Sequence, residues 1–170
     1  MATKKQNKLK SYRDKMLESR QQSLDFFANN DFRYDQIGFI NGCATINDSG
    51  AISLTDTLIS LEITKTPVHL ILGSVEVPRL LQYLEKVIKL KVVTIGVFGE
   101  NDFTRKFEIS QLVDKTYYSP KMDDVVLTMI NWLKEGETLL FSPANLEIKS
   151  NEDYAKRGMH FNKLVQPYLN

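Results

Sequence analysis

Two histidines, one cysteine and a scatter of serine, aspartate and asparagine side chains are the groups with which this 170-residue chain could do chemistry. His69 lies inside an apolar run and His160 inside a helical stretch, far apart and without an obvious cysteine or carboxylate constellation, so both read as structural. Cys43 is alone, so neither an intrachain disulfide nor a cysteine-based metal site can form, which fits a reducing compartment. It reads as a small buried apolar residue. Ser142 has no histidine neighbour and no G-x-S-x-G elbow to expose it as a nucleophile. There is no G-x-x-x-x-G-K-[ST], no G-x-G-x-x-G and no H-E-x-x-H. The expectation is therefore no catalytic residue, no metal and no cofactor.

Polar groups remain just beyond the apolar stretches: Asn47-Asp48-Ser49, Ser74-Val75-Glu76, Gly99-Glu100-Asn101 and Ser142-Pro143-Ala144-Asn145. In open α/β sheets ligands bind outside the carboxyl ends of the strands. Asp48, Ser49, Ser142 and Asn145 are accordingly the candidate contacts for an amino acid or another small polar ligand. The same side chains can instead cap helices and turns.

The elements that must position them follow from periodicity. Tyr34 to Ile40 and Cys43 to Ile46 read as strands around an Asn41-Gly42 hairpin turn. Ser53 caps a helix through Thr64 whose apolar face is Leu54, Leu58 and Leu61. Val68 to Gly73 is a short, continuously apolar central strand. Val77 to Lys89 reads as a helix with Leu80, Leu81, Leu84, Val87 and Ile88 inward, Lys91 to Phe98 as a strand, Phe103 to Leu112 as a helix and Lys115 to Tyr118 as a short strand. Ser119-Pro120, with Asp123 and Asp124, predicts a helix start with proline at the first helical position, running to about Glu135. Glu137 to Phe141 is the last strand and Asn151 to Val165 the last helix. This order predicts an α/β fold: a Rossmann-like three-layer domain with a mostly parallel sheet, an N-terminal β-hairpin and an added N-terminal helical arm.

The 42% apolar and 25% charged residues are those of a globular chain, long enough for one core. The formal charge of +1 hides an asymmetry, because Lys4, Lys5, Lys8, Lys10, Arg13, Lys15 and Arg20 face only Asp14 and Glu18 in the first 20 residues. Residues 1–30 are read as a basic helical arm and 31–170 as the domain proper. The arm's stripe of Leu9, Tyr12, Met16, Leu24 and Phe27 is broken by Ser19, Arg20 and Ser23. It can dock on its own body, or serve a protein partner or a homodimer. Nucleic acid is disfavoured, since the arm lacks interleaved stacking aromatics and the body is acidic. No apolar run reaches the roughly 18 residues of a membrane span, and Lys and Asn stand where a secretory signal would be apolar, so the expected location is the cytoplasm.

The stretch Ile37-Gly38-Phe39-Ile40-Asn41-Gly42-Cys43-Ala44-Thr45-Ile46-Asn47-Asp48-Ser49, with Ala51 beyond it, resembles the opening of the C-terminal domain of the Mur ligases, above all the D-glutamate-adding ligase, where a strand leads into N-D-S-K-A-T-N. Val68 to Gly73, Val92 to Gly99 and Leu139-Leu140-Phe141-Ser142-Pro143-Ala144 are similar to later segments of that domain, the last to its L-L-S-P-A. Arg157-Gly158 and Phe161 resemble its final helix. These segments cover about residues 33 to 166 in the family's order. The resemblance implies a Rossmann-like domain that holds the incoming amino acid and closes over a central ATPase domain, in the synthesis of peptidoglycan precursors.

The likeness is degenerate at the site. Gly50 and Ile52 stand where the family has a lysine and a threonine, Ser74-Val75-Glu76-Val77 replaces a loop containing glycine and lysine, and Asn151 replaces a phenylalanine. Losing the lysine removes a charge-assisted hydrogen bond worth about 1.5–3 kcal/mol. No phosphate cradle or Mg²⁺-binding motif is present. The sequence-based expectation is a stand-alone pseudoenzyme, a non-catalytic binding or regulatory protein. The alternative is the amino-acid-binding part of a split ATP-dependent D-glutamate-adding ligase that needs a partner domain.

Overall fold

In the hairpin that opens the fold, Asn41 and Gly42 both take positive φ, 50° and 78°, the conformation that lets two right-twisted strands return on themselves. The computed structural model describes residues 32–74, 82–100, 103–144 and 151–170. The predicted N-terminal arm lies outside these residues, as do Asn145 and the first turns predicted for the Val77 to Lys89 helix.

The hairpin strands are β1 (Asp35–Ile40) and β2 (Cys43–Asn47). They are followed by α1 (Leu54–Ile63), β3 (Val68–Leu72), α2 (Gln82–Lys91), β4 (Val92–Phe98), α3 (Phe103–Ser110), β5 (Lys115–Ser119), α4 (Met122–Ile130), β6 (Thr138–Phe141), α5 (Asn151–Val165) and a 3₁₀ turn, Gln166–Tyr168. The six strands form one sheet in the order β1-β2-β6-β3-β4-β5, antiparallel only between β1 and β2. This is the mostly parallel α/β architecture that the alternation of elements predicts.

Side chains alternate across the sheet with period two, and each face has its own core. Leu70 and Leu140 point into the cluster of Leu61, Leu84, Ile88 and Ile95, under α1 and α2. Ile71, Leu139 and Phe141 point into the other, with Val125, Met129 and Ile130 of α4 and Phe161 and Val165 of α5. Phe141 and Phe161 stack at 4.4 Å, pinning the last helix to the middle of the sheet. β3 is buried at every residue because it has strands on both sides and helices on both faces.

Three local expectations need correction. Pro120 does not open α4: the helix starts at Met122 with Lys121 as its cap residue, and Ser119 Oγ holds the turn by accepting from Lys121 N at 3.2 Å. That helix ends at Ile130 rather than near Glu135, because Trp132 and Leu133 make tight i→i−3 bonds that turn the chain toward β6. The buried residues of α1 are Thr57, Ser60 and Leu61, with Leu54 and Leu58 only partly covered, so this helix turns hydroxyls inward. The reason lies at the site they help to build.

Candidate functional site

Asp48 follows β2, and its N–H donates to the carbonyl of Phe141 at the end of β6 at 2.8 Å. Its side chain is therefore aimed across the carboxyl ends of both strands. Ser60 Oγ and Ser142 Oγ donate to Asp48 Oδ2 at 2.6 and 2.7 Å, and Tyr34 N donates to Oδ1 at 3.1 Å. Thr57 Oγ1 donates to the Ser142 carbonyl at 3.1 Å. Arg33 Nε stands 3.6 Å from Asp48 Oδ1, while its Nη1 donates to the Gly50 carbonyl at 2.6 Å and Nη2 meets Asp56 Oδ1 at 3.5 Å. Asp48 and Ser142 are both fully buried. Burial pushes the Asp48 carboxyl up to about 6, against the pull of Arg33 and of the Ser60, Ser142 and Tyr34 donors.

Asp56 performs a second task. It accepts from Ser53 N and Ile52 N and completes a capping box with Ser53, which fixes the start of α1 and so the position of Thr57 and Ser60.

Ser49, also fully buried, points the other way, toward α5. Its hydroxyl donates to the Tyr154 carbonyl at 2.7 Å and accepts from Arg157 Nε at 3.0 Å, and Arg157 Nη2 donates to the Ser49 carbonyl. Burial lowers the Arg157 guanidinium to about 10, which leaves it charged at neutral pH. Asn47 completes the clamp, donating to the Gly158 carbonyl at 3.0 Å and to Asn162 Oδ1 at 2.7 Å.

Of the candidate contacts, the structure brings Asp48 and Ser142 into one hydrogen-bonded pair and sends Ser49 to α5. Asn145 is outside the described residues. Sequence reasoning missed Arg33, Thr57 and Ser60. For the two hydroxyls a signal existed: Thr57, Ser60 and Thr64 recur at i, i+3 and i+7, a polar line on one helical face that an apolar template passes over.

The histidines lie apart from this cluster. His69 Nε2 is 2.6 Å from Glu137 Oε2 and Nδ1 is 2.7 Å from Thr94 Oγ1, so it ties β3, β4 and the start of β6 together. Burial works against the Glu137 charge, but hydrogen bonds from His69 and Lys134 N more than offset it and hold the carboxyl below its ordinary range. His160 Nε2 meets Asp123 Oδ1 at 2.7 Å on the surface. Each histidine thus has a single carboxylate partner that the sequence did not reveal. Cys43 is buried and donates to the Lys134 carbonyl. Among the described residues no three His, Cys, Asp or Glu side chains gather as metal ligands.

No protein-family model matches the chain. It is 29% identical over 154 residues to the UDP-N-acetylmuramoylalanine–D-glutamate ligase of Hydrogenobaculum sp. (strain Y04AAS1), covering 91% of this chain and 37% of that protein. It is 30% identical over 152 residues to the ligase of the same name from Porphyromonas gingivalis (strain ATCC 33277), covering 87% of this chain and 33% of the relative. The chain is a C-terminal-type Mur ligase region. It spans about a third of the length of these relatives. A solved murein peptide ligase from Psychrobacter arcticus 273-4 aligns with 77% of the chain and 30% of its own at a TM-score of 0.46 and 12% identity, too distant to bear on the site.

In this Mur-ligase-type domain the position of the expected lysine is filled from elsewhere. A Cβ on Gly50 would stand 2.4 Å from Arg33 Cδ and 3.2 Å from the Phe32 carbonyl, so a longer side chain there requires Arg33 to move. A Cβ on Gly158 would stand 2.4 Å from the Phe32 ring. Phe32 and Arg33 thus lie across two glycines, one after β2 and one on α5. Ile52 is 44% exposed and offers no polar group where the family's threonine is expected. Among the described residues no helix is long and apolar enough to cross a membrane.

Proposed function

We propose that this chain is a binding or regulatory module that reuses the Mur ligase C-terminal domain in connection with peptidoglycan precursor synthesis, in the cytoplasm, and makes no peptide bond by itself. The observation that carries this reading is the commitment of Asp48, Ser49 and Ser142 to the domain's own hydrogen bonds in full burial. A ligand could claim Asp48 or Ser142 only by displacing Ser60, Thr57 or Arg33, and each displaced buried group would cost about 1–3 kcal/mol. Gly50 brings no cation to repay that cost. Any residual small polar ligand would use the outer edge of this cluster. The N-terminal arm is the contact element proposed for a protein partner or a second copy.

The relatives' extent supports a second reading. They are ligases of which this chain spans about a third, so it would be the amino-acid-holding part of an ATP-dependent D-glutamate-adding ligase whose other parts supply the phosphate chemistry.

The purified chain, screened by thermal shift with nucleotides, D-glutamate and UDP-muramoyl precursors and assayed for ATP hydrolysis, tests both. No shift and no hydrolysis are expected. ATP turnover by the chain alone would overturn the first reading, and ATP-dependent ligation appearing only with an added partner subunit would favour the second.

A further inference from the structure

The sheet has two edges, and among the described residues only the β1 edge is guarded. At β1 a register shift between Gln36 and Gly38 interrupts the ladder, Leu169 packs on Gly38, and Asn170 N donates to the Phe39 carbonyl at 2.8 Å. A bulge and a covering segment are the usual devices that keep an edge strand from pairing with another chain. β5 has neither. It runs in register with β4 from Lys115 to Ser119, without a bulge or a proline. Lysine also guards edges, but Lys115 Nζ is folded onto the Trp132 ring, 3.6 Å from its centroid.

The ladder fixes which groups β5 leaves open. Gly99 N donates to the Ser119 carbonyl at 3.1 Å, continuing the parallel pairing beyond Phe98 and Ser119. Peptide groups alternate in direction along a strand, so Lys115, Tyr117 and Ser119 turn theirs toward β4, and Thr116 and Tyr118 turn theirs outward. Among the described residues no backbone group bonds Thr116 or Tyr118 from that side. These two residues flank Tyr117 symmetrically. A second β5 laid antiparallel about Tyr117 sets Thr116 opposite Tyr118 at both ends, and each pair can exchange both of its N–H···O bonds. The same register sets Lys115 opposite Ser119 of the second copy, whose hydroxyl donates to Asp124 at 2.9 Å. Lys115 and Asp124 are both exposed, so the pairing brings opposite charges together on the α4 face. Tyr117, edge-on to Trp132 at 6.3 Å, meets its own counterpart on that face, and Pro120, which has no N–H, closes the ladder.

We propose that β5 is an interaction surface for a second copy of this chain, pairing β5 to β5 across a two-fold axis at Tyr117. The contact is isologous and small, of the weak, transient class. It uses neither the N-terminal arm nor the Asp48 cluster, and it does not rest on the function proposed above.

The test is sedimentation of the full chain over a range of concentrations, with amide exchange measured at both ends of the range. A dimer is expected at the upper end, in which the amides of Thr116 and Tyr118 exchange about tenfold or more slowly than in the dilute chain, while the Tyr117 amide, bonded to β4, is protected throughout. Thr116→Pro removes an outward N–H without touching the β4 ladder and should weaken dimerisation about tenfold or more. Lys115→Asp, which sets like charges opposite each other, should weaken it as well, and it carries the test if the proline variant fails to fold. A chain that stays monomeric at every concentration, a dimer whose strength the folded variants leave unchanged, or concentration-dependent protection that spares Thr116 and Tyr118 would each overturn the proposal.

Discussion

The carboxyl edge of the sheet is used in two opposite ways. At β2 and β6 Asp48, Ser49 and Ser142 are buried and spend their hydrogen bonds within the domain, with Asp48 accepting from two hydroxyls and one backbone N–H and Arg33 Nε standing 3.6 Å away as its counter-charge. Beyond β4 and β5 Glu100 and Lys106 are exposed, bonds from the Gly99 N–H, the Ser119 hydroxyl and the Tyr118 hydroxyl hold the chain, and a cavity is left. The difference teaches that position at a strand end does not make a site. A carboxylate consumed by the fold is a structural group wherever it sits, whereas an exposed charge beside a cavity contributes little to the fold.

The largest effect expected from this contrast is that of Asp48→Ala. It leaves Arg33 without its buried counter-charge and Ser60 and Ser142 without their acceptor, so a loss of about 3–5 kcal/mol is expected in urea unfolding. A loss below about 1 kcal/mol would show that the cluster is not a structural centre. Next comes Gly158→Ala, where the added methyl meets the Phe32 ring and should cost about 1–3 kcal/mol by overpacking; a neutral result would mean that Phe32 is readily displaced from α5.

The pH dependence is smaller and its sign is specific. Asp48 is raised from 3.8 to about 6, so the folded state holds its proton more tightly than the unfolded chain. Its contribution is fully present below about pH 4 and is lost as the pH rises through 6. Glu137 is held below its ordinary value, so its contribution is present above that value and is lost as the pH falls through its folded pKa. Stability measured from pH 4 to 6 should therefore decline less in Asp48→Asn than in the unaltered chain, and parallel curves would remove the assignment. The smallest effect is that of Lys106→Met, within about 1 kcal/mol, since an exposed cation–π contact is all that the fold loses. A larger loss would mean that the cavity's charge is structural too.

Much of the architecture was legible along the chain. The Asn41-Gly42 turn, the apolar run from Val68, the Ser53 cap and the last helix, Asn151–Val165, appear where periodicity and turn chemistry place them, because these signals are local. The end of α4 was not legible: residues up to Glu135 suit a helix, and only docking of the Trp132–Leu133 turn beside β6 stops it at Ile130. The candidate site was half legible. Asn47-Asp48-Ser49 and Ser142 stand out as polar residues after apolar strands, but nothing in their neighbourhood announces Arg33, Thr57 or Ser60, which lie 15, 9 and 12 residues from Asp48.

By itself the sequence determined the alternation of strands and helices, the ligase ancestry and the replacement of the expected lysine by Gly50. Whether Asp48, Ser49 and Ser142 face a ligand or the protein was decided only in three dimensions. A side chain's hydrogen-bonding capacity belongs to its residue type, but whether that capacity is already spent depends on which donors the folded chain brings within 3 Å. Here Ser60 and Ser142 come that close to Asp48, while toward the other end of the same edge Glu100 and Lys106 make no ion pair among the described residues.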